Sequence, residues 1–213
     1  MSKKLLFIDV ETTGLDHKVY DIVEICLIVD INNEIKETLT LKMAPFNQVF
    51  EPEALRVNGR KWEEVLQFQD PKEAYKKIIN LLEKYMEYEE RGFYDKRDKF
   101  DIVAYNASFD VRHLSMFFLR NNDNRLQRFY NKVIDPFYQL DQYRTTCQQT
   151  GTSHPFKSLK LGRVCEYFGI DLPDAHSAEP DTLATRKLFY TLGLNYRENK
   201  FEKKFSDLKG YKE

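Results

Sequence analysis

The chain has 213 residues, 42% of them apolar and 31% charged, with a net charge of −1. That size supports one full core with a short appendage, and the near-zero charge excludes a binder whose whole field attracts its partner, so an anionic partner must be held by local features. The three scattered cysteines, Cys26, Cys147 and Cys165, form neither a metal-binding pair nor a disulfide framework, which points to a reducing compartment. The opening "MSKKLLFIDV" enters a strand at once, and no apolar run approaches ~18 residues. A soluble, cytoplasmic protein without a membrane partner is expected.

In chain order, residues 4–10 read as a strand rich in bulky apolar side chains. "IVEICLIVDI" (22–31) predicts a second and "EIKETLTLKM" (34–43) a third, with Asn32–Asn33 as the tight turn of a hairpin. These three form an antiparallel meander. Residues 44–59 predict a loop with a short helical turn. In "DPKEAYKKIINLLEKYMEYEE" (70–90), Asp70 is a cap, Pro71 sits at the first position, and apolar residues at 74, 78, 81, 82 and 85 line one helical face. A polar break at 91–99 precedes a short buried strand, "FDIVAYN" (100–106), and a helix over 108–120 capped by Ser108. A basic turn over 121–129, a strand at 132–135, and helices at 158–170 and 178–193 follow. The result is an α/β fold: a mixed five-stranded sheet with flanking helices. Residues 1–195 are expected to form the domain and 196–213 a charged C-terminal segment, whose Phe201, Phe205 and Leu208 at helical spacing suggest a docked last helix, with a partner-binding segment as the alternative.

Four acids then demand an explanation. Asp9 and Glu11, two apart on the first strand, point to one face, and a like-charged pair there needs a proton, a cation or hydrogen bonds. Asp110 and Asp181 each lie in the first turn of a helix, where an acid taken singly is ordinary complementation of the helix dipole. In α/β folds, however, helix N-termini gather at strand ends, where ligands bind. Four carboxylates gathered there carry about −4 of charge, and divalent cations are the simple way to hold it. All-oxygen ligands suit two Mg²⁺ or Mn²⁺ ions, which can clamp a phosphodiester between them. His176, five residues before Asp181, gains a role beside such a cage: an imidazole titrates near neutrality and can take a proton from an attacking water. His17, His113 and His154 lack that company. The cations of 120–128 and Lys157 and Lys160 read best as solvated surface.

"FIDVETTGL", "YNASFD" and "AHSAEPD" together resemble the three motifs of the DEDDh family of 3′–5′ exonucleases, in order and in approximate separation, across residues 4–193. That family includes the proofreading subunit of bacterial replicative DNA polymerase and ribonuclease T. The resemblance implies a ribonuclease H-like fold and release of nucleoside 5′-monophosphates from a 3′ end. Asp9, Glu11, Asp110 and Asp181 would hold the metals and His176 would activate water. Thr12, Thr13 and Gly14 would bring backbone N–H groups to the terminal nucleotide, Leu15 would wedge against its base, and Asn58, Asn106 and Phe109 would line the same cleft. Asn58 stands where relatives often carry His, and Tyr105 replaces a His common before Asn106. Single-stranded DNA is the expected substrate, with an RNA-trimming activity as the alternative and a non-catalytic binding domain as a minor one. A DNA polymerase subunit is a candidate partner, and monomer or homodimer is left open.

Overall fold

The structure, a computed structural model, describes residues 4–86, 98–173 and 176–194. Five strands form one sheet: β1 (Lys4–Thr12), β2 (Ile22–Ile31), β3 (Glu34–Lys42), β4 (Phe100–Val103) and β5 (Tyr130–Ile134), in the order β3-β2-β1-β4-β5. β1, β2 and β3 pair antiparallel, while β4 and β5 continue parallel to β1. The meander and the mixed five-stranded sheet are therefore as expected. Asn32 and Asn33 carry φ values of 56° and 72°, the two left-handed residues that a tight hairpin turn needs.

The helices among the described residues are α1 (Pro52–Val57), α2 (Trp62–Val65), α3 (Pro71–Lys84), α4 (Ser108–Arg120), α5 (Pro136–Gln149), α6 (Leu161–Tyr167) and α7 (Ala178–Thr191). Alternation along β1 decides which of them covers which face. Leu6, Ile8 and Val10 point into the larger core, with Ile78 and Leu82 of α3 and Leu114, Phe117 and Phe118 of α4. Leu5 and Phe7 point the other way, onto α7, where the Phe7 and Phe189 rings meet edge-on at 5.4 Å. Burying a phenylalanine of this kind contributes about 1.5–3 kcal/mol. A third cluster joins α5, α6 and α7 through Leu140, Val164 and Leu188. Asp9 and Glu11 share the Leu5–Phe7 side by the same alternation.

Several boundaries differ from the sequence expectation. β1 runs on through Thr12 rather than stopping at residue 10, because its antiparallel pairing with β2 continues past Glu11. The fourth strand ends at Val103, not 106, since Asn106 turns the chain with φ 63°. Ser108 does not cap α4: Ala107 occupies the N-cap position and no side chain caps the helix. Instead the Asp135 carboxylate accepts from the N–H groups of Asn106 and Ala107, each at 3.0 Å. The helix expected over 158–170 shortens to Leu161–Tyr167, closed by Gly169 at φ 65° and by Ile170 N–H donating to Cys165 C=O. α2 and the 14-residue α5 had no counterpart in the expectation. The helix expected over 70–90 ends at Lys84, where Tyr85 leaves helical geometry as the C-cap, while residues 87–90, the 91–97 break and the docked tail lie outside the described residues.

Candidate active site

β1 is the strand from which the sheet runs antiparallel on one side and parallel on the other, and its C-terminal end is where ligands are expected in such sheets. Because β4 runs parallel to β1, α4 begins at that same end, and α7 lies across the opposite face with its first turn there. Three carboxylates meet: one oxygen each from Asp9, Glu11 and Asp181 lie within 4.8 Å of one another. Asp110 reaches in from α4, on the other side of the sheet. Its Oδ1 accepts from Val10 N–H at 3.0 Å, so this acid is pinned to the backbone between Asp9 and Glu11.

The electrostatics of this cluster are strongly unfavourable without a counter-charge. Asp9 is raised well above the usual carboxylate range by burial and by the charges of Asp110, Glu11, Asp181 and Glu24. Asp110 is raised by burial, against which the N–H donors of Asp110 and Val10 act. Glu11 is pushed up to about 8, by burial first and then by Asp181 and Glu24, while Arg60 opposes the shift. Asp181 is raised by burial, opposed by the His176 N–H and charge. Asp181 Oδ1 is buried without a hydrogen-bond partner, and such an orphaned oxygen in an acidic cluster is the donor a hard cation takes. The donor set, all oxygen and crowded, therefore fits divalent cations.

His176 stands at the mouth, exposed, with φ 72°, and its N–H donates to Asp181 Oδ2 at 3.2 Å. One hydrogen bond thus ties the imidazole-bearing residue to the cluster. The "TTGL" loop leaves β1 directly beside these acids. Thr12 Oγ1 donates to Gly14 C=O at 2.7 Å, and Asn58 Nδ2 donates to Thr12 C=O at 3.0 Å. Asn58 thus braces the loop through its amide. Thr13 corrects the expectation of a free amide: its N–H donates to Asp21 C=O at 2.9 Å and its side chain is wholly buried. It holds the loop rather than offering a donor. Gly14 is required by close approach, since a Cβ there would lie 2.4 Å from the Tyr20 ring. Leu15 projects into solvent, 74% exposed. Asn106 is exposed, and the half-buried Phe109 ring packs 4.3 Å from the His113 ring. Tyr105 buries its ring against Phe137 and donates to Leu159 C=O at 2.6 Å, so it is a packing residue. Arg120, read as solvated surface, is instead ion-paired with Asp21 and donates to the carbonyls of Lys18 and Tyr20, bracing the loop's far end.

The sequence reading missed two participants. Glu24, 2% exposed on β2, lies directly opposite Glu11, is ion-paired to Arg60, and accepts from Ser177 Oγ at 3.4 Å. It links the sheet to Ser177, the N-cap of α7, between His176 and the first helical turn that carries Asp181. Its signal was a lone acid inside the apolar run "IVEICLIV". Asp135 caps α5 through Phe137 N–H as well as holding the start of α4, and its signal was an Asp before a Pro, as at Asp70.

A protein-family model described as "Exonuclease", of the ribonuclease T type, matches residues 6–189. The chain is 25% identical over 191 residues to a DNA polymerase III of the PolC type from Ureaplasma parvum, covering 88% of this chain and 11% of that protein. Among solved structures it resembles E. coli exonuclease I in complex with a dT13 oligonucleotide, with a TM-score of 0.73 and 18% identity over 99% of this chain and 44% of that one. It also resembles a zinc-bound form of the E. coli exonuclease I complex with single-stranded DNA, with a TM-score of 0.74 and 18% identity over 97% of this chain and 43% of that one. These similarities show a shared fold. The chain spans less than half the length of these relatives.

Proposed function

The chain belongs to the exonuclease family whose model spans residues 6–189, and from that premise we propose that it is a metal-dependent 3′–5′ exonuclease that hydrolyses the terminal phosphodiester of single-stranded DNA and releases nucleoside 5′-monophosphates. One observation carries this reading: three carboxylates within 4.8 Å of one another, one with a buried, unpartnered oxygen, beside an exposed histidine. Asp9, Glu11 and Asp181 would hold two Mg²⁺ or Mn²⁺ ions, and the Asp110 carboxylate, oriented by Val10 N–H, would complete the set. Bound there, such ions reduce the negative charge that protects a phosphodiester and lower the pKa of a coordinated water. The chain's own groups do the rest. His176 takes the proton from the attacking water. Asp181 accepts from the His176 N–H and so fixes where that imidazole begins. Leu15 and Phe109 grip the terminal base, and Asn58 holds the loop from which Leu15 projects.

DNA is favoured because the structural neighbours are described with DNA oligonucleotides bound. Work beside a polymerase, as in the PolC-type relative, or trimming of ends alone are both compatible with the site. The test is a ladder assay with 5′-labelled single-stranded DNA, duplex DNA with a mismatched 3′ end, and RNA of the same sequence, with Mg²⁺, Mn²⁺ or chelator. Stepwise shortening of DNA from the 3′ end, abolished by chelator, is expected. Faster shortening of RNA would move the assignment to RNA trimming. No mononucleotide from any substrate would overturn the reading.

A further inference from the structure

The wedge loop has a neighbour that the chemistry above does not use. Phe50 is 38% exposed, and its ring stacks on Trp62 with centroids 4.6 Å apart and planes at 28°. Trp62 opens α2 and packs its other contacts onto Val23, Leu55 and Val65. The rear of this stack is therefore core, and Phe50 is its outer member. The next residue, Glu51, fastens the stack to the wedge loop: its N–H donates to Thr13 C=O at 2.7 Å, and its Oε2 accepts from Leu15 N–H at 3.2 Å. Val57, 38% exposed at the end of α1, is followed by Asn58, which binds Thr12 C=O. Leu15, Phe50 and Val57, all exposed and apolar, thus lie on segments hydrogen-bonded to the loop that leaves β1 beside the acids. Several exposed apolar side chains tied to one loop beside a cleft are more than single surface residues scattered at random.

We propose that Phe50, backed by Trp62, is a stacking platform for an unpaired nucleobase upstream of the terminal nucleotide, a second base site set apart from the acid cluster by Leu15. The proposal rests on the single-stranded nucleic-acid reading above and adds where the strand goes next. An aromatic face takes any base, so the site is tolerant of sequence. Charge contributes little to the grip. Arg56 and Arg60 are already paired with Glu53 and Glu24, and Glu63 and Glu64 are exposed nearby. Lys61, exposed and outside the ion pairs of the described residues, is left for a phosphate. Stacking should therefore set the affinity of this site, with a shallow salt dependence.

The test uses the full chain in chelator, so that no cleavage occurs, and dT15 oligonucleotides carrying 2-aminopurine at the first, second, third or fourth position from the 3′ end. Stacking on an aromatic ring quenches that base. Quenching at one internal position is expected, lost in Phe50→Ala and in Phe50→Leu, kept in Phe50→Tyr, and unchanged at the terminal position. Phe50→Leu keeps apolar bulk over Trp62, so loss of the signal there reports the missing ring and not a damaged fold. Phe50→Ala should weaken binding about tenfold, by nearly the same factor at low and high salt. Trp62 is the sole tryptophan, so its emission should change when unlabelled dT15 binds. Unchanged quenching and affinity in Phe50→Ala and Phe50→Leu, with mononucleotide release by the wild type intact, would overturn the platform while leaving the exonuclease assignment standing. A wild type that neither binds dT15 nor releases mononucleotides would overturn both.

Discussion

Replacing Glu11 by Gln should make the metal-free protein more stable while destroying its activity. Burial and the charges of Asp181 and Glu24 push the Glu11 carboxyl from an ordinary 4.5 to about 8. The folded, metal-free chain therefore binds a proton that the unfolded chain has released. Below about pH 4.5 both states hold the proton and nothing is lost. As pH rises from there toward 8, stability falls, and above 8 the full penalty applies. At pH 7 the cost is about 3 kcal/mol at 1.36 kcal/mol per pH unit. Glutamine carries no proton to lose and keeps the shape of the side chain. Asp9, which also feels the Glu11 charge, is relieved in the same direction. The variant should thus melt about 6–12 °C above the wild type at pH 7 in chelator, at roughly 2–4 °C per kcal/mol for a chain of this size. The gap should widen between pH 5 and pH 8. Adding Mn²⁺ should raise the wild-type midpoint strongly and the variant's much less, because the ion restores value to the charged form. Calorimetry at four pH values, with and without Mn²⁺, reads all of this. Equal midpoints in chelator, or a gap that narrows as pH rises, would show that Glu11 is not a strained member of an acid cluster.

Other substitutions separate the roles. Asp181→Ala should abolish cleavage with the fold retained, since an acid at a helix start contributes only about 0.3–1 kcal/mol; a wild-type rate would remove its assignment as a ligand. His176→Ala should slow turnover by about 10²–10⁴-fold while the Mn²⁺-induced rise in melting temperature persists. An unchanged rate there would dismiss His176 as the base. Gly14→Ala should raise KM, because the new Cβ would sit 2.4 Å from the Tyr20 ring and push the wedge loop outward. A second change, Tyr20→Ala, opens that space and should restore binding; failure to do so would mean the glycine serves some purpose other than close approach.

How much of this was legible depended on whether the signal was local. Strands β1 to β3 were readable because continuous apolar runs are bounded by a turn with two asparagines, and every element of that argument lies within 40 residues. α3 was readable from its cap, its proline and the spacing of its apolar face. α5 was not, although Asp135-Pro136 repeats the same start signal. Its buried residues, Pro136, Leu140 and Cys147, are sparse among polar ones, and Leu140 finds its apolar neighbours on α6 and α7. The extent of β4 was overread because Ala104 and Tyr105 prolong an apolar stretch, while the turn that stops it is held by an aspartate 29 residues away from Asn106.

The acids divide along the same line. Each of Asp9, Glu11, Asp110 and Asp181 could be found by type and spacing, but nothing local says that they meet. Convergence follows from strand order. Because β4 lies parallel beside β1, the helix after it must start at the carboxyl end of β1, which delivers Asp110 from one face; α7, packed on the other face, delivers Asp181. Glu24 shows what this reasoning cannot reach from sequence. It sits opposite Glu11 only because of the antiparallel register, and it is tolerable only because Arg60, 36 residues on, neutralises it. A fifth acid beside four is incomprehensible until its cation is known. With Arg60 paired to Glu24, what remains is the mutual repulsion of the four acids, and a crowded all-oxygen donor set of that kind is one that divalent cations fit.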